Sequence, residues 1–199
     1  MHRQGVDMRR RRFLATAGTA GIAATAGCGA LRTERTLSDP TRHSDGQGRA
    51  SIHFNEDGSE VGHFGVDGAV ADGVVPMTTE IWHREGTTVE SVSARVWMPE
   101  ADTPADVAVV SPVEGDSSPP PEVRLYTPDR AAGTTIELSD LDDLADETIS
   151  TLEFIVRPWS ESATTVAFDV TMELAGGGVL GTDYTLDGEL RLEYPTLAA

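Results

Sequence analysis

"ATTVAFDVTMELA", residues 163–175, carries its large apolar side chains at every second position. Val166, Phe168, Val170, Met172 and Leu174 fall on one parity, and Thr165, Ala167, Asp169, Thr171 and Glu173 on the other. Successive side chains of a strand point to opposite faces, so a period of two puts the first set on a core and the second toward water. Such one-sided burial is the habit of antiparallel sheets.

The same period runs through most apolar segments after Ser51. In "YTLDGELRLEY", residues 184–194, Leu186, Leu190, Leu192 and Tyr194 share a parity, with Glu189, Arg191 and Glu193 facing water. Asp187-Gly188 within it reads as a hairpin turn. In residues 74–98 a turn at Glu85-Gly86 sets Val75 opposite Val96, Met77 opposite Ala94 and Thr79 opposite Val92 on the inner face of a second hairpin. Its outer face then carries Glu80 opposite Ser91 and Trp82 opposite Val89. Further strands are predicted near residues 51–55, 61–66, 106–111, 122–127, 134–138 and 151–157, about nine or ten in all by their spacing. Only "SDLDDLADETI", residues 139–149, has the pattern of a helical turn. Gly176–Gly178, between two strands, suits a turn or bulge.

Many short strands separated by Gly, Pro and Asp predict an all-β protein, an antiparallel β-sandwich of immunoglobulin-like topology, with a β-barrel as the alternative. The expected organisation is an export signal over 1–27, a flexible tether over 28–49 and a single sandwich domain over 50–199. The tether reading rests on the polar, aperiodic "CGALRTERTLSDPTRHSDGQGR" with Pro40, Gly46 and Gly48.

The signal reading rests on "RRRRFLATAGTAGIAATAGCG", residues 9–29. A basic start leads into an apolar run from Phe13 to Ala26, well short of the ~20 residues that a spanning helix needs. Arg10, Arg11, Phe13 and Leu14 resemble the twin-arginine export motif, with Arg9 where that motif carries Ser or Thr. Thr25-Ala26-Gly27-Cys28 resembles a lipobox, with Thr25 where lipoboxes carry Leu, Val or Ile. The resemblance implies lipidation of Cys28 and a place at the outer face of the cell membrane, with simple secretion as the alternative.

Without residues 1–27, ten arginines face 32 carboxylates, and the chain has no lysine. This acidic, lysine-free composition resembles that of proteins from extremely halophilic archaea, which implies a high-salt setting. So acidic a surface argues against nucleic acid as a partner.

Exported sandwiches of such organisms often resemble halocyanins, but a blue-copper site needs a cysteine among histidines within the fold. The one cysteine, Cys28, lies at the signal junction. No Gly-x-Ser-x-Gly elbow and no phosphate-binding glycine loop occurs. The acidic runs "NEDGSE" (55–60) and "SDLDDLADE" (139–147) lack the ligand spacing of a calcium loop and read as solvated acid. His53 and His63 lie on two segments that pair across "NEDGSE"; pairing Asn55 with Glu60 makes them diagonal neighbours and candidate metal ligands, with His83 a conceivable third. Trp82, Arg84, Arg95 and Trp97 are expected together as a binding patch on the outer face of the second hairpin.

The sequence therefore points to a non-enzymatic surface lipoprotein that binds an unknown surface protein or ligand, with no catalytic residues and no cofactor expected. Two alternatives stand beside it: an exported metal-binding protein or hydrolase, and an accessory subunit of a transporter or secretion system.

Overall fold

The computed structural model describes residues 32–100, 106–109, 122–129, 131–139, 141, 150–158, 163–178 and 180–194. The export-signal residues Arg10, Arg11, Phe13 and Leu14, the lipidation candidate Cys28 and nearly all of the 139–149 run lie outside the described residues.

Twelve strands are present among the described residues: β1 (Thr33–Leu37), β2 (Thr41–Ser44), β3 (Arg49–Glu56), β4 (Ser59–Gly68), β5 (Val75–His83), β6 (Thr87–Trp97), β7 (Asp106–Val109), β8 (Glu122–Tyr126), β9 (Thr134–Ser139), β10 (Ser150–Arg157), β11 (Thr165–Gly176) and β12 (Thr182–Glu193). They form two six-stranded sheets, one in the order β1-β12-β11-β6-β9-β8 and the other β2-β3-β4-β5-β10-β7. All pairings are antiparallel except β1 with β12. Each sheet ends in strands with a single neighbour, so the protein is an open two-sheet sandwich and not a barrel. No helix long and apolar enough to cross a membrane occurs among the described residues.

The alternation on β11 holds except at Ala167, which is expected to face water but is buried. Val166, Phe168, Val170, Met172 and Leu174 are buried, whereas Asp169 and Glu173 are exposed. The two sheets meet through aromatic rings: Phe168 of β11 contacts Phe64 of β4 and Phe154 of β10, with centroids 6.3 and 6.0 Å apart. Rings at such distances add about 0.5–1.5 kcal/mol per pair to the area they bury.

Three expectations are corrected. The segments around Glu85-Gly86 are not paired as a hairpin. β5 pairs with β4 and β10, and β6 pairs with β11 and β9, in the opposite sheet. The chain crosses between the sheets because its corner is bonded to both of them. Arg84 N–H donates to the Val61 carbonyl of the β4 sheet, and Gly177 N–H, from the β11–β12 turn, donates to the Gly86 carbonyl. Val75, Met77, Val92, Ala94 and Val96 still share one core, but from its two sides. Val89 joins them because the β6–β11 register shifts at Glu90, which returns Val89 to the inner face.

Asp187-Gly188 is not a turn either, since β12 runs straight through it with Gly188 opposite Val170. The turn that joins β11 to β12 lies instead after Gly176, where Gly178 takes a φ of 77°.

Ten residues of the predicted tether are strand. β1 pairs with β12 and β2 with β3, joined across a buried Pro40. Gly48 is needed for close approach, since its φ is 102° and a β-carbon there would lie 2.1 Å from the Gly68 carbonyl oxygen. Among the described residues the sandwich thus already includes Thr33, ahead of the predicted start at residue 50.

One polar knot fastens β1 and the β5–β6 corner to the body. Glu56, at the end of β3, accepts from the Tyr184 hydroxyl of β12 at 2.7 Å and pairs with Arg35 of β1. Arg84 donates to the Tyr184 hydroxyl and packs over its ring, 4.8 Å from the centroid. The Tyr184 hydrogen bond, aided by Arg35 and Arg84, outweighs burial and holds the Glu56 carboxyl below its ordinary range.

Candidate functional site

The outer face of the β2-β3-β4-β5 meander carries a row of rings. The β3–β4 turn is built on Asp57 and Gly58, both with positive φ (51° and 81°), as a two-residue hairpin requires. Beyond it the ladder pairs Asn55 with Glu60, then Phe54 with Gly62, leaving Val61 as an extra residue. This bulge shifts the register by one and sets His53 directly opposite His63, rather than diagonally as the unbulged pairing predicts.

The bulge has a second effect. Glu60 and His63 are three apart and would face opposite sides of a regular strand. With Val61 inserted, both lie on the outer face. Glu60 Oε1 accepts from His53 Nδ1 at 2.9 Å and from His63 Nδ1 at 2.7 Å. The other nitrogens of the two rings are also held. His53 Nε2 lies 2.9 Å from Ser51 Oγ, and His63 Nε2 lies 3.2 Å from Glu80 Oε1 of β5.

Rings flank the pair on both sides. His43 of β2 meets His53 edge-on at 4.9 Å, the His53 and His63 centroids are 4.8 Å apart, and Trp82 of β5 stacks on His63 at 5.5 Å with a 13° interplanar angle. The side chains of His53, His63 and Glu60 are 26, 15 and 33 % exposed, sheltered but open to solvent. Burial alone would raise the Glu60 carboxyl, but the hydrogen bonds from His63 and His53 and their charge outweigh it and hold it below the ordinary carboxylate range.

Next to this cluster the sheet face dips. Gly65 stands outward between Ser51 and Glu80 and has no side chain to fill the space. The result is an open groove of about 800 Å³ lined by Ser51, His53, His63, Gly65, Asp67 and Glu80 among others.

His83 does not join the other two histidines. It is fully buried on the inner side of β5, with Nδ1 3.1 Å from Thr87 Oγ1 across the sheet-to-sheet corner. The reason is parity: residues 81 and 83 point inward and residues 80 and 82 outward.

The expected patch is likewise divided. Trp82 lies on the outside of the β4 sheet and Trp97 on the outside of the β11 sheet, because β5 and β6 belong to different sheets. Arg95 stays with Trp97, its guanidinium 3.9 Å from the ring centroid and 3.1 Å from Asp169. Arg84 is engaged with Tyr184 and Glu56. Nothing in the sequence pattern marks Glu60, Glu80, Ser51 or His43 as part of a site. Glu60 was hidden in a run of acids, and the spacing that would have flagged it has meaning only with the bulge in place.

Solved structures similar to this chain include an uncharacterised protein from Nocardia farcinica described as having an immunoglobulin-like fold, at 14 % identity over 64 % of this chain and 96 % of that one, with a TM-score of 0.38. The collagen-binding domain of a Staphylococcus aureus adhesin is another, at 10 % identity over 63 % and 95 % of the two chains and a TM-score of 0.35. A third is a non-cellulosomal cohesin from Archaeoglobus fulgidus, at 10 % identity over 79 % and 86 % and a TM-score of 0.28. No curated protein matches the chain by sequence. The profile of one family does, over residues 34–196, from the second residue of β1 to just past β12: the chain belongs to the family described as Domain of unknown function (DUF8121).

Proposed function

We propose that the protein is an exported surface lipoprotein, anchored through Cys28 at the outer face of the cell membrane in a high-salt setting, whose sandwich is a non-enzymatic binding module. The binding surface is the outer face of β3, β4 and β5. One observation carries this reading: the groove over Gly65 is walled by side chains whose polar atoms are already fixed by neighbours, His53 by Ser51 and Glu60 and His63 by Glu60 and Glu80. A wall held in place before a ligand arrives loses little freedom on binding.

With strand beginning at Thr33, only four residues separate it from Cys28. They span at most ~14 Å, at about 3.3–3.6 Å per residue. The anchored sandwich would thus sit close to the membrane instead of on a long stalk, suited to a partner in the same envelope.

Replacing Cys28 with Ser tests the anchor: the protein should be released to the medium or remain unprocessed, and a processed form that stays on the membrane overturns it. The released Cys28→Ser protein then tests the surface, through its retention on washed cell envelopes at growth salt. Gly65→Tyr fills the groove from an outward position whose β-carbon has only ordinary contacts, 3.5 Å to Glu80 Cβ and 3.7 Å to Ser51 Cβ. It should lower retention at least tenfold, and retention equal to that of the Gly65 protein removes the groove as the binding face.

A further inference from the structure

We propose that His53, His63 and Glu60 form a site for one divalent transition-metal ion of the zinc class, bound through Nδ1 of both imidazoles and the Glu60 carboxylate, beside the groove that the two histidines line. The inference rests on the reading of this face as the ligand surface and names one ligand it takes.

Four observations converge on it. The three ligand atoms lie within 4.8 Å of one another, so an ion at the ordinary ~2.0–2.2 Å from each fits between them after small side-chain rotations. They come from a β-hairpin, with the two histidines directly opposite and Glu60 brought beside them by the bulge, so the backbone holds all three without a loop. Two imidazoles with one carboxylate is a donor set for zinc, copper or nickel, whereas calcium and magnesium take oxygen ligands.

The fourth is the state of the outer nitrogens. Ligating histidines characteristically have the second ring nitrogen held by a carboxylate or another polar group, which fixes the ring. Here Glu80 holds Nε2 of His63 and Ser51 holds Nε2 of His53. His63 moreover has a carboxylate oxygen at each nitrogen, Glu60 at 2.7 Å and Glu80 at 3.2 Å. A neutral imidazole has one N–H, so hydrogen bonds alone satisfy both carboxylates only if the ring carries two protons. A metal ion at Nδ1 meets the same geometry with a neutral ring, binding Nδ1 and Glu60 while Nε2–H donates to Glu80.

A water or a donor atom from a partner would complete the shell. His43 and Trp82 close the two ends of the row and keep both rings from swinging away.

The test is calorimetric titration of the Cys28→Ser full chain with Zn²⁺ at high salt, so that the lone thiol cannot contribute. One ion per chain is expected. Glu60→Gln and His63→Ala should each weaken binding at least tenfold, and Ser51→Ala and Glu80→Gln about tenfold through ring orientation, within the 10–100-fold range of such partners. His43→Ala should leave the stoichiometry at one. Imidazole ¹⁵N spectra of the unaltered site give a readout independent of folding, with the Nδ1 signals of His53 and His63 moving together on adding Zn²⁺. Absence of saturable binding of Zn²⁺, Cu²⁺ and Ni²⁺, or binding unchanged in Glu60→Gln, overturns the site. If that happens while envelope retention still depends on Gly65, the metal inference fails alone; if Zn²⁺ binds but Gly65→Tyr leaves retention intact, the groove reading fails and the metal site stands.

Discussion

At Gly188 a β-carbon would stand 2.8 Å from Ile52 Cδ1, 3.1 Å from Pro40 Cγ and 3.2 Å from Phe54 Cζ. The glycine is a matter of space: it lets the β2–β3 edge, including the buried Pro40, close onto β12. Overpacking a dense interior costs about 1–3 kcal/mol, so Gly188→Ala should lower stability by that amount in denaturant unfolding. A tolerated Gly188→Asn would signal a turn instead, since asparagine suits positive φ but has no room here. In sequence, Asp-Gly between alternating apolar residues is a strong hairpin signal, and nothing local separates a glycine chosen for its dihedral from one chosen for its volume. Asp57-Gly58, with the same dipeptide, is a true turn. Glu60 is the same lesson in reverse, because its partnership with His53 and His63 depends on one inserted residue, Val61, which no periodicity displays.

At the level of elements, alternation placed the strands and their buried faces but not their neighbours. Val75 and Met77 are buried under either pairing of β5, since an inward face is apolar whether the next strand lies beside it or across the core. The corner Arg84-Glu85-Gly86 is as short as a hairpin loop, and only its bonds to Val61 and to Gly177 direct β6 into the other sheet. The two arrangements differ in a measurable contact. A hairpin through Glu85-Gly86 puts Thr78 opposite Ser93, within the ~4.4–6.8 Å Cα separation that a disulfide tolerates. In the sandwich they lie in opposite sheets, Thr78 beside Glu153 and Ser93 beside Glu137. A Thr78→Cys/Ser93→Cys pair should therefore stay reduced under oxidation that closes Ser93→Cys/Glu137→Cys. A cross-link in the first pair would restore the hairpin.

For the molecule as a whole, the charge balance decides how the fold responds to salt. Most arginines among the described residues are already paired with carboxylates, as Arg49 with Asp67, Arg95 with Asp169 and Arg191 with Glu189, yet the acids far outnumber the cations. Exposed pairs of this kind are worth about 0–1 kcal/mol and weaken as salt is added. Repulsion among the surplus carboxylates changes in the opposite sense, because the screening length falls from about 10 Å at 0.1 M to about 3 Å at 1 M. With ten arginines against 32 acids in the chain after residue 27, repulsion outweighs the pairs, so the thermal midpoint should rise with KCl by several degrees over that range. Added salt also strengthens apolar burial when its ions are excluded from the surface. A parallel series in sodium perchlorate, which screens equally without that exclusion, separates the two: a rise in both salts assigns the effect to screened repulsion, a rise in KCl alone assigns it to burial, and a flat or falling midpoint in both removes the high-salt setting as the reason for the acidity.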